Sequence, residues 1–267
     1  MHTKIVLFGA FSLALALSVA TRASAQEGAG SPKASLSEMY NFELRGFYWN
    51  SGLDATVRSD EGGFEGTDID VVEDLGIARQ KGVIGGEATL ELYQGHKLKL
   101  TVVNISYDTD KIIDKDIAFK GDLYGAGTKV TSKMSLLSAR FGYEYDFIRG
   151  DNGFVGLQLA ANLIQTNASL VTNDTLSNSA SVALVFPMVV ATGRAHFTEH
   201  ISGTAELGWT GYESSNLFDA VLYIDYNPVR RVGITFGWKS IMIDAKESGD
   251  KINVQWSGVF AGLILRI

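Results

Sequence analysis

The sequence contains no cysteine among its 267 residues. Disulfide bonds, cysteine-ligated zinc, iron–sulfur clusters and thiol nucleophiles are therefore all excluded. Small exported domains often depend on disulfides, so an exported chain of this kind must be held together by backbone hydrogen bonds and side-chain packing. Proline is also scarce, with 3 residues against 29 glycines. This composition is typical of many strands joined by tight turns.

Long apolar runs are missing after residue 25. A transmembrane helix needs ~20 consecutive apolar residues, so the sequence predicts no such helix in this region. The mean hydropathy of +0.08 is nearly neutral, which is compatible with a transmembrane β-barrel because its apolar residues alternate with polar ones. The net charge is −7, and no basic stripe is present. We therefore expect no nucleic-acid partner.

The first 25 residues have the organisation of a secretory signal peptide. Lys4 supplies the positive charge, the apolar core follows over residues 5–20, and Ala23 and Ala25 are the small residues that a signal peptidase requires. An uncleaved anchor is the alternative, but the run is short and a fitting cleavage site follows it. These features predict a signal peptide over 1–25, a flexible leader over 26–38 and a β-barrel over 39–267.

Apolar and polar residues alternate along most of this last region. Successive side chains of a strand point to opposite faces, so each alternating segment has one apolar and one polar face. In the segment 97–107 the phase of the alternation inverts at Val102-Val103. We interpret this inversion as a β-bulge, because one extra residue exchanges the two faces of a strand.

The connections between these segments predict the topology. Short turns near residues 94–97, 149–153, 198–200 and 227–230 alternate with connections that are often longer, at about 59–83, 109–125, 170–178, 213–217 and 247–250. Short turns on one side and longer loops on the other are typical of outer-membrane barrels. The fold class predicted is all-β, an antiparallel transmembrane β-barrel of about ten strands, with eight or twelve as alternatives. Aromatic residues near strand ends are expected at the membrane–water boundary: Tyr48, Trp49, Tyr143, Tyr145, Phe147, Trp209, Tyr226 and Trp238.

The last segment carries a family resemblance. Val259, Ala261, Leu263, Leu265 and Ile267 occupy alternate positions up to the final residue. This pattern resembles the C-terminal insertion signal of Gram-negative outer-membrane β-barrel proteins, although the family usually ends in Phe and this chain ends in Ile. The resemblance implies a location in the bacterial outer membrane, contact with outer-membrane lipid, and assembly by the barrel insertion machinery.

Charged residues recur on the polar face of the predicted strands. A ten-stranded barrel has a narrow interior, and charges confined there must pair with one another. We expect a closed barrel or a narrow gated channel rather than a wide diffusion pore. The predicted lumen charge network consists of Glu43, Arg45, Glu87, Glu91, Lys97, Lys99, Arg140, Glu144, Glu206, Asp219, Asp225, Arg231, Lys239 and Arg266.

Candidate chemistry is sparse. Of the 4 histidines, His2 belongs to the signal peptide, and His96, His196 and His200 fall in or beside short turns. No catalytic residue, metal ligand or cofactor is assigned. The acidic connection 59–76 is a candidate site for a small solute or a cation, since carboxylate oxygens suit calcium. A solvated acidic loop is the simpler interpretation of the same residues.

The sequence thus favours a non-enzymatic outer-membrane barrel with a structural or narrow-channel role, whose outer loops are a candidate binding surface. Two alternatives remain open. One is a passive, porin-like transporter for small solutes. The other is a barrel enzyme that hydrolyses lipid or peptide through Asp and Glu.

Overall fold

The computed structural model describes residues 35–60, 66–119, 121–172, 176–212, 215–247 and 250–267. A 3-10 helix at Leu36–Glu38 precedes the strands, and no helix in the described residues is long and apolar enough to cross a membrane. The strands are β1 (Phe42–Arg58), β2 (Ile69–Asp70), β3 (Gln80–Tyr93), β4 (His96–Ile112), β5 (Ile117–Phe119), β6 (Asp122–Tyr124), β7 (Lys129–Gly150), β8 (Gly153–Thr172), β9 (Leu176–His196), β10 (Ile201–Tyr212), β11 (Ser215–Val229), β12 (Val232–Glu247) and β13 (Asp250–Arg266).

Ten of these strands close into an antiparallel barrel, as predicted. Each pairs with its neighbour in the chain, β1 pairs with β13, and β2, β5 and β6 lie in connections. The register followed around the wall from Phe42 returns to β1 at Asp54, a stagger of twelve residues. Such a stagger tilts the strands relative to the barrel axis, typically by ~35–45°.

The two ends of the barrel differ. The terminal end holds Ser35, Ile267 and the four tight turns after β3, β7, β9 and β11. The loop end holds the other five connections, of which only those after β1 and β4 are long. The longer connections expected at about 170–178, 213–217 and 247–250 are short instead, because the strands on either side of them run further than the alternation indicated.

β4 shows why the phase of the alternation inverts. Its pairing with β3 and β7 is unbroken through Val102 and Val103, so the predicted bulge is wrong. The interior side chains change from Lys97, Lys99 and Thr101 to apolar ones, and the exterior changes from apolar to polar. The faces keep their direction, and only the residue types exchange. Irregularities in register occur instead in β3, β7 and β11, next to turns of the terminal end.

The same exchange divides the whole barrel. The part next to the terminal end has a polar interior and an apolar exterior, and we call it the terminal half. The part next to the loop end has an apolar interior and a polar exterior, and we call it the loop half. On β7, for example, the interior changes from Arg140 to Leu136 and the exterior from Phe141 to Lys133. β7 has 22 residues, about twice the ~9–11 that cross a membrane. Only the terminal half therefore has the exterior and the length of a membrane-spanning barrel.

The loop half is filled like the core of a soluble protein. Trp49, Leu53 and Trp256 from the wall are buried in one apolar cluster. The connection after β1 adds residues to this cluster, and the connection after β4 adds others: Ile69, Val71, Leu75 and Ile77 from the first, and Ile113, Ile117, Phe119 and Tyr124 from the second. The two long loops therefore fold into the mouth of the barrel. Trp49 belongs to this interior and not, as its neighbour Tyr48 does, to the exterior.

Candidate functional site

The interior of the terminal half is a network of ion pairs with Arg140 at its centre. The Arg140 guanidinium donates to Glu206 at 3.1 Å and to Asp219 at 3.0 Å. Lys99 donates to Glu206 at 2.6 Å, and Lys239 donates to Asp219 at 2.8 Å. All five side chains are buried. Buried charges are stable only when they are paired. Arg140 and Lys99 have partners on strands across the lumen, and Lys239 has its partner on the adjacent strand β11.

A second layer lies closer to the terminal end. Arg45 donates to Asp225 at 3.0 Å and to Glu43 at 3.2 Å. Glu43 also accepts from Arg266 at 2.6 Å. The Arg45 guanidinium lies 4.2 Å from the centre of the Tyr223 ring, an arrangement that stabilises a cation further. This layer connects β1 to β11 across the interior and to its neighbour β13 along the wall.

The segment before β1 closes the terminal end. Leu36 donates its backbone N–H to Glu199 O at 3.0 Å, and Glu38 reaches into the lumen to accept from Arg194 at 2.8 Å. Burial disfavours ionisation of Glu38, but the charge of Arg194, the ring of His196 and the charge of Lys97 outweigh it and hold its pKa well below the usual range. Residues 35–38, which we assigned to the flexible leader, thus form an ordered plug.

Most of the predicted lumen charges lie in this network. Glu91 lies at its rim, where it pairs with Arg149 at 3.4 Å. Arg231 is exposed in the turn between β11 and β12 and does not join, because the strand begins one residue later than the alternation indicated. The members placed in the lumen are Glu43, Arg45, Glu87, Lys97, Lys99, Arg140, Glu144, Glu206, Asp219, Asp225, Lys239 and Arg266.

Three members were missed from the sequence: Glu38, Asp146 and Arg194. Asp146 pairs with Lys97 at 2.8 Å, and continuing the β7 alternation beyond Glu144 would have found it. Arg194 lies between Gly193 and Ala195, so no large apolar neighbour indicated a strand there. Glu38 lies outside every alternating segment, and no signal in the sequence pointed to it.

Two small cavities lie inside the barrel. They have volumes of about 10 and 20 Å³, each enough for roughly one water molecule. The first lies among Lys97, Lys99 and Glu144, and the second lies where the polar network meets Phe47 and Phe260. Neither of these two cavities can hold a solute larger than a water molecule.

Three carboxylates of the acidic connection 59–76 are engaged locally. Asp70 accepts the backbone N–H groups of Val72 and Glu73, each at 2.9 Å. Glu73 pairs with Arg79 at 2.8 Å, and Asp74 pairs with Lys115 at 2.7 Å. No group of three or more residues suited to a metal ion occurs in the described part of the chain. Residues 61–65 of this connection lie outside the described residues.

The histidines and the C-terminal pattern are placed on the terminal half. His96 packs against Tyr143 and Tyr145, His196 contacts Asp151 O, and His200 contacts Asn227 O, all at the terminal end. The residues of the predicted insertion signal all face outward on β13 and just after it: Val259, Ala261, Leu263, Leu265 and Ile267.

Comparisons with known proteins concern the fold. A scan of protein families and a search of curated proteins find no match. Among solved structures, the chain is similar to the outer membrane protease OmpT of Escherichia coli, with 10% identity over 85% of this chain and 97% of that one and a TM-score of 0.59. It also matches OprG of Pseudomonas aeruginosa, with 12% identity over 89% and 98% of the two chains and a TM-score of 0.41.

Proposed function

The chain has the fold of a Gram-negative outer-membrane β-barrel, and from this premise we propose that it is a sealed, non-enzymatic barrel. Its terminal half is a membrane anchor, and its loop half is a rigid platform at the cell surface that presents a binding surface. The observation that carries the proposal is the filled lumen. Ion pairs occupy the terminal half, and an apolar core occupies the loop half.

Each half supports a sealed lumen independently. A hydrated solute passing the terminal half would have to separate Arg140 from Glu206 and Asp219, which leaves buried charges without partners. A solute passing the loop half would have to displace Trp49 and Trp256 together with the long loops packed on them. A passive transporter requires an open path through both halves, whereas this barrel has a barrier in each.

The non-enzymatic part of the proposal rests on the position of the histidines. Proton transfer in hydrolysis is most often carried out by His. His96, His196 and His200 all lie at the terminal end, away from substrates reached through the loop end. The similarity to OmpT extends to the fold alone. In the first long loop, Asp70, Glu73 and Asp74 are engaged with backbone N–H groups, Arg79 and Lys115, respectively.

Conductance in a planar bilayer tests the sealed lumen. We expect no discrete openings from the refolded protein. A variant lacking residues 66–78 and 113–127 should also stay closed, because the ion pairs of Arg140 remain in its terminal half. Discrete steps from the intact protein would establish the passive transporter instead. Incubation of the protein with phospholipid and peptide substrates tests the enzyme alternative. Hydrolysis that is lost on replacing Asp and Glu of the loop end would overturn the non-enzymatic proposal.

A further inference from the structure

One stretch of the barrel wall, on β9, has a free edge within the part of the chain that the structure describes. β9 has 21 residues and β10 has 12. Their pairing extends only from Ser202 opposite His196 to Trp209 opposite Val189. Among the described residues, positions 176–188 of β9 therefore pair with β8 alone. We call this unpaired stretch of wall between β9 and β10 the seam, and it continues to the loop end.

Pro187 explains where the pairing with β10 stops. Proline has no N–H to donate, so it interrupts a ladder on the side to which that group would point. The β8–β9 register continues through Ala161 opposite Pro187, so the missing N–H belongs to the side away from β8. The seam therefore opens immediately beyond Val189, the last residue that β10 pairs.

The same reasoning gives the direction of the other backbone groups. Both backbone groups of a residue in an antiparallel strand point to one side, and successive residues alternate. His196 donates its N–H to Asn152 O at 2.8 Å, on the β8 side. Even-numbered residues of β9 therefore direct their backbone N–H and C=O groups toward β8, and odd-numbered residues direct theirs toward the seam. Ser177, Ser179, Ser181, Ala183 and Val185 thus direct their N–H and C=O groups to the free edge.

This edge lacks the usual protection. Natural proteins block free edges with charged side chains, lysine above all, or with proline. Residues 176–188 contain no charged residue, and their one proline lies at the end next to the membrane-spanning half. The side chains of Ser179, Ser181, Ala183 and Val185 are exposed. A strand that approaches from the loop end would meet unpaired backbone groups and small uncharged side chains.

We propose that this free edge of β9, residues 176–186, docks an extended, uncharged segment of a partner protein, which adds to the sheet as a further strand. The inference rests on the proposed platform function and names its binding site. The partner segment must be uncharged over the paired stretch, because a buried charge would find no counter-charge on the edge. Strand addition of this kind obtains affinity from main-chain hydrogen bonds.

A second copy in the same membrane does not fit the edge. Two such copies would be related by a two-fold axis along the membrane normal. Barrel strands are tilted by ~35–45°, so the two β9 edges would cross at roughly 70–90° and could not form a ladder. A free segment has no such constraint and can align with β9.

Peptide binding to the full-length barrel in lipid nanodiscs tests the proposal. The probe is a fluorescent peptide with the sequence of residues 160–172, which is uncharged and already pairs with the β8-facing side of this stretch. We expect saturable binding by fluorescence anisotropy. A peptide methylated on alternate backbone nitrogens is the control, and it should not bind, because it lacks half of the N–H donors.

Two matched double variants locate the binding. Ser179→Pro with Ala183→Pro removes two edge N–H groups and leaves the β8 ladder intact, whereas Ser179→Val with Ala183→Val keeps both N–H groups. We expect the proline pair to weaken binding by about tenfold or more and the valine pair by less than about twofold. Heat-modifiable migration on a gel shows that both variants are folded.

Cross-linking gives a second, independent location. The chain has no cysteine, so Ala183→Cys and Lys133→Cys each create a unique attachment point on the exterior of the loop half. The peptide should cross-link at position 183 and not at 133. Equal binding by the two double variants, absence of saturable binding, or self-association of the barrel that the proline pair blocks would each overturn the proposal. The conductance result is independent of these outcomes. A barrel that is sealed but does not bind the peptide would refute the docking proposal and leave the sealed-barrel proposal standing.

Discussion

The terminal half and the loop half are built on the same strands with opposite polarity. In the terminal half, charged residues fill the interior and apolar residues cover the exterior, as a bilayer requires because it surrounds the wall with hydrocarbon. In the loop half, Trp49, Leu53 and Trp256 fill the interior and polar residues cover the exterior, as in a water-soluble protein. On β4 the pairing passes through this boundary without a change of register, so the two halves differ in residue type and not in the direction of the faces.

The largest expected effect of a single substitution is in the terminal half, at Arg140. Arg140→Leu removes the group shared by Glu206 and Asp219 and leaves both carboxylates short of a buried partner. We expect a loss of roughly 3–5 kcal/mol in the free energy of unfolding, measured by urea titration in lipid vesicles. Arg140→Lys keeps the positive charge at this position and should lose less. An unchanged unfolding midpoint for Arg140→Leu would show that the network does not hold this half together.

The matching change in the loop half removes apolar volume. Leu53 is 2% exposed and packs in the core beneath the long loops, and Leu53→Ala should cost about 2–5 kcal/mol. The neighbouring Asp54 faces outward, so Asp54→Ala serves as the control and should change stability little. The free energies of unfolding of Leu53→Ala and Asp54→Ala are compared by the same urea titration. Equal effects would contradict an apolar interior in this half.

A charge placed on the exterior of β4 distinguishes the halves directly. Leu100 and Ser106 face outward on the same strand, the first in the terminal half and the second in the loop half. Leu100→Lys exposes a charge to lipid and should cost about 2–4 kcal/mol near the middle of the membrane. Ser106→Lys should cost less than about 0.5 kcal/mol, because its side chain meets water. Similar costs at the two positions would place the membrane boundary elsewhere.

The smallest effect concerns the plug, and it depends on pH. Glu38→Gln removes the carboxylate that accepts from Arg194 and should cost about 1.5–3 kcal/mol at pH 7. The pKa of Glu38 is lowered in the folded protein, so its contribution is complete above the unfolded pKa of ~4.3 and is lost as pH falls toward the folded value. The difference between wild type and variant should therefore shrink below about pH 4.

Unfolding titrations at a series of pH values test this prediction. A difference that stays constant from pH 7 to acid would show that Glu38 is not ionised in its contact with Arg194. Glu73→Gln is a suitable control, because Glu73 pairs with Arg79 at an exposed position of the loop end, where an ion pair contributes little to stability.

The sequence predicted the strands well because alternation is a local property. Arg140 and Glu144 were assigned to the lumen from their neighbours alone, and the structure places both there. The inversion at Val102 was visible too. One sequence does not show whether a bulge turns the side chains to the opposite face or whether the faces stay in place and the residue types on them change. Pairing with β3 and β7 decides between them, and pairing is not local.

The same limit applies to the residues that were missed. Glu38 enters the lumen because backbone contacts with Glu199 and Ile267 hold the segment before β1 across the terminal end. The packing of Ile69 and Ile117 into the barrel mouth depends on strands that lie far apart in the sequence. The free edge of β9 likewise follows from the lengths of β9 and β10, which composition did not indicate.

Tryptophan fluorescence tests the inversion of polarity most directly. The chain has 4 tryptophans: Trp49 and Trp256 are 0% and 1% exposed in the loop-half core, and Trp209 and Trp238 are 57% and 38% exposed on the exterior. In vesicles of brominated lipid, the Trp49→Phe/Trp256→Phe variant should be strongly quenched. The Trp209→Phe/Trp238→Phe variant should resist both brominated lipid and aqueous acrylamide. Strong acrylamide quenching of this second variant would show that water fills the loop half and would contradict a sealed, apolar core.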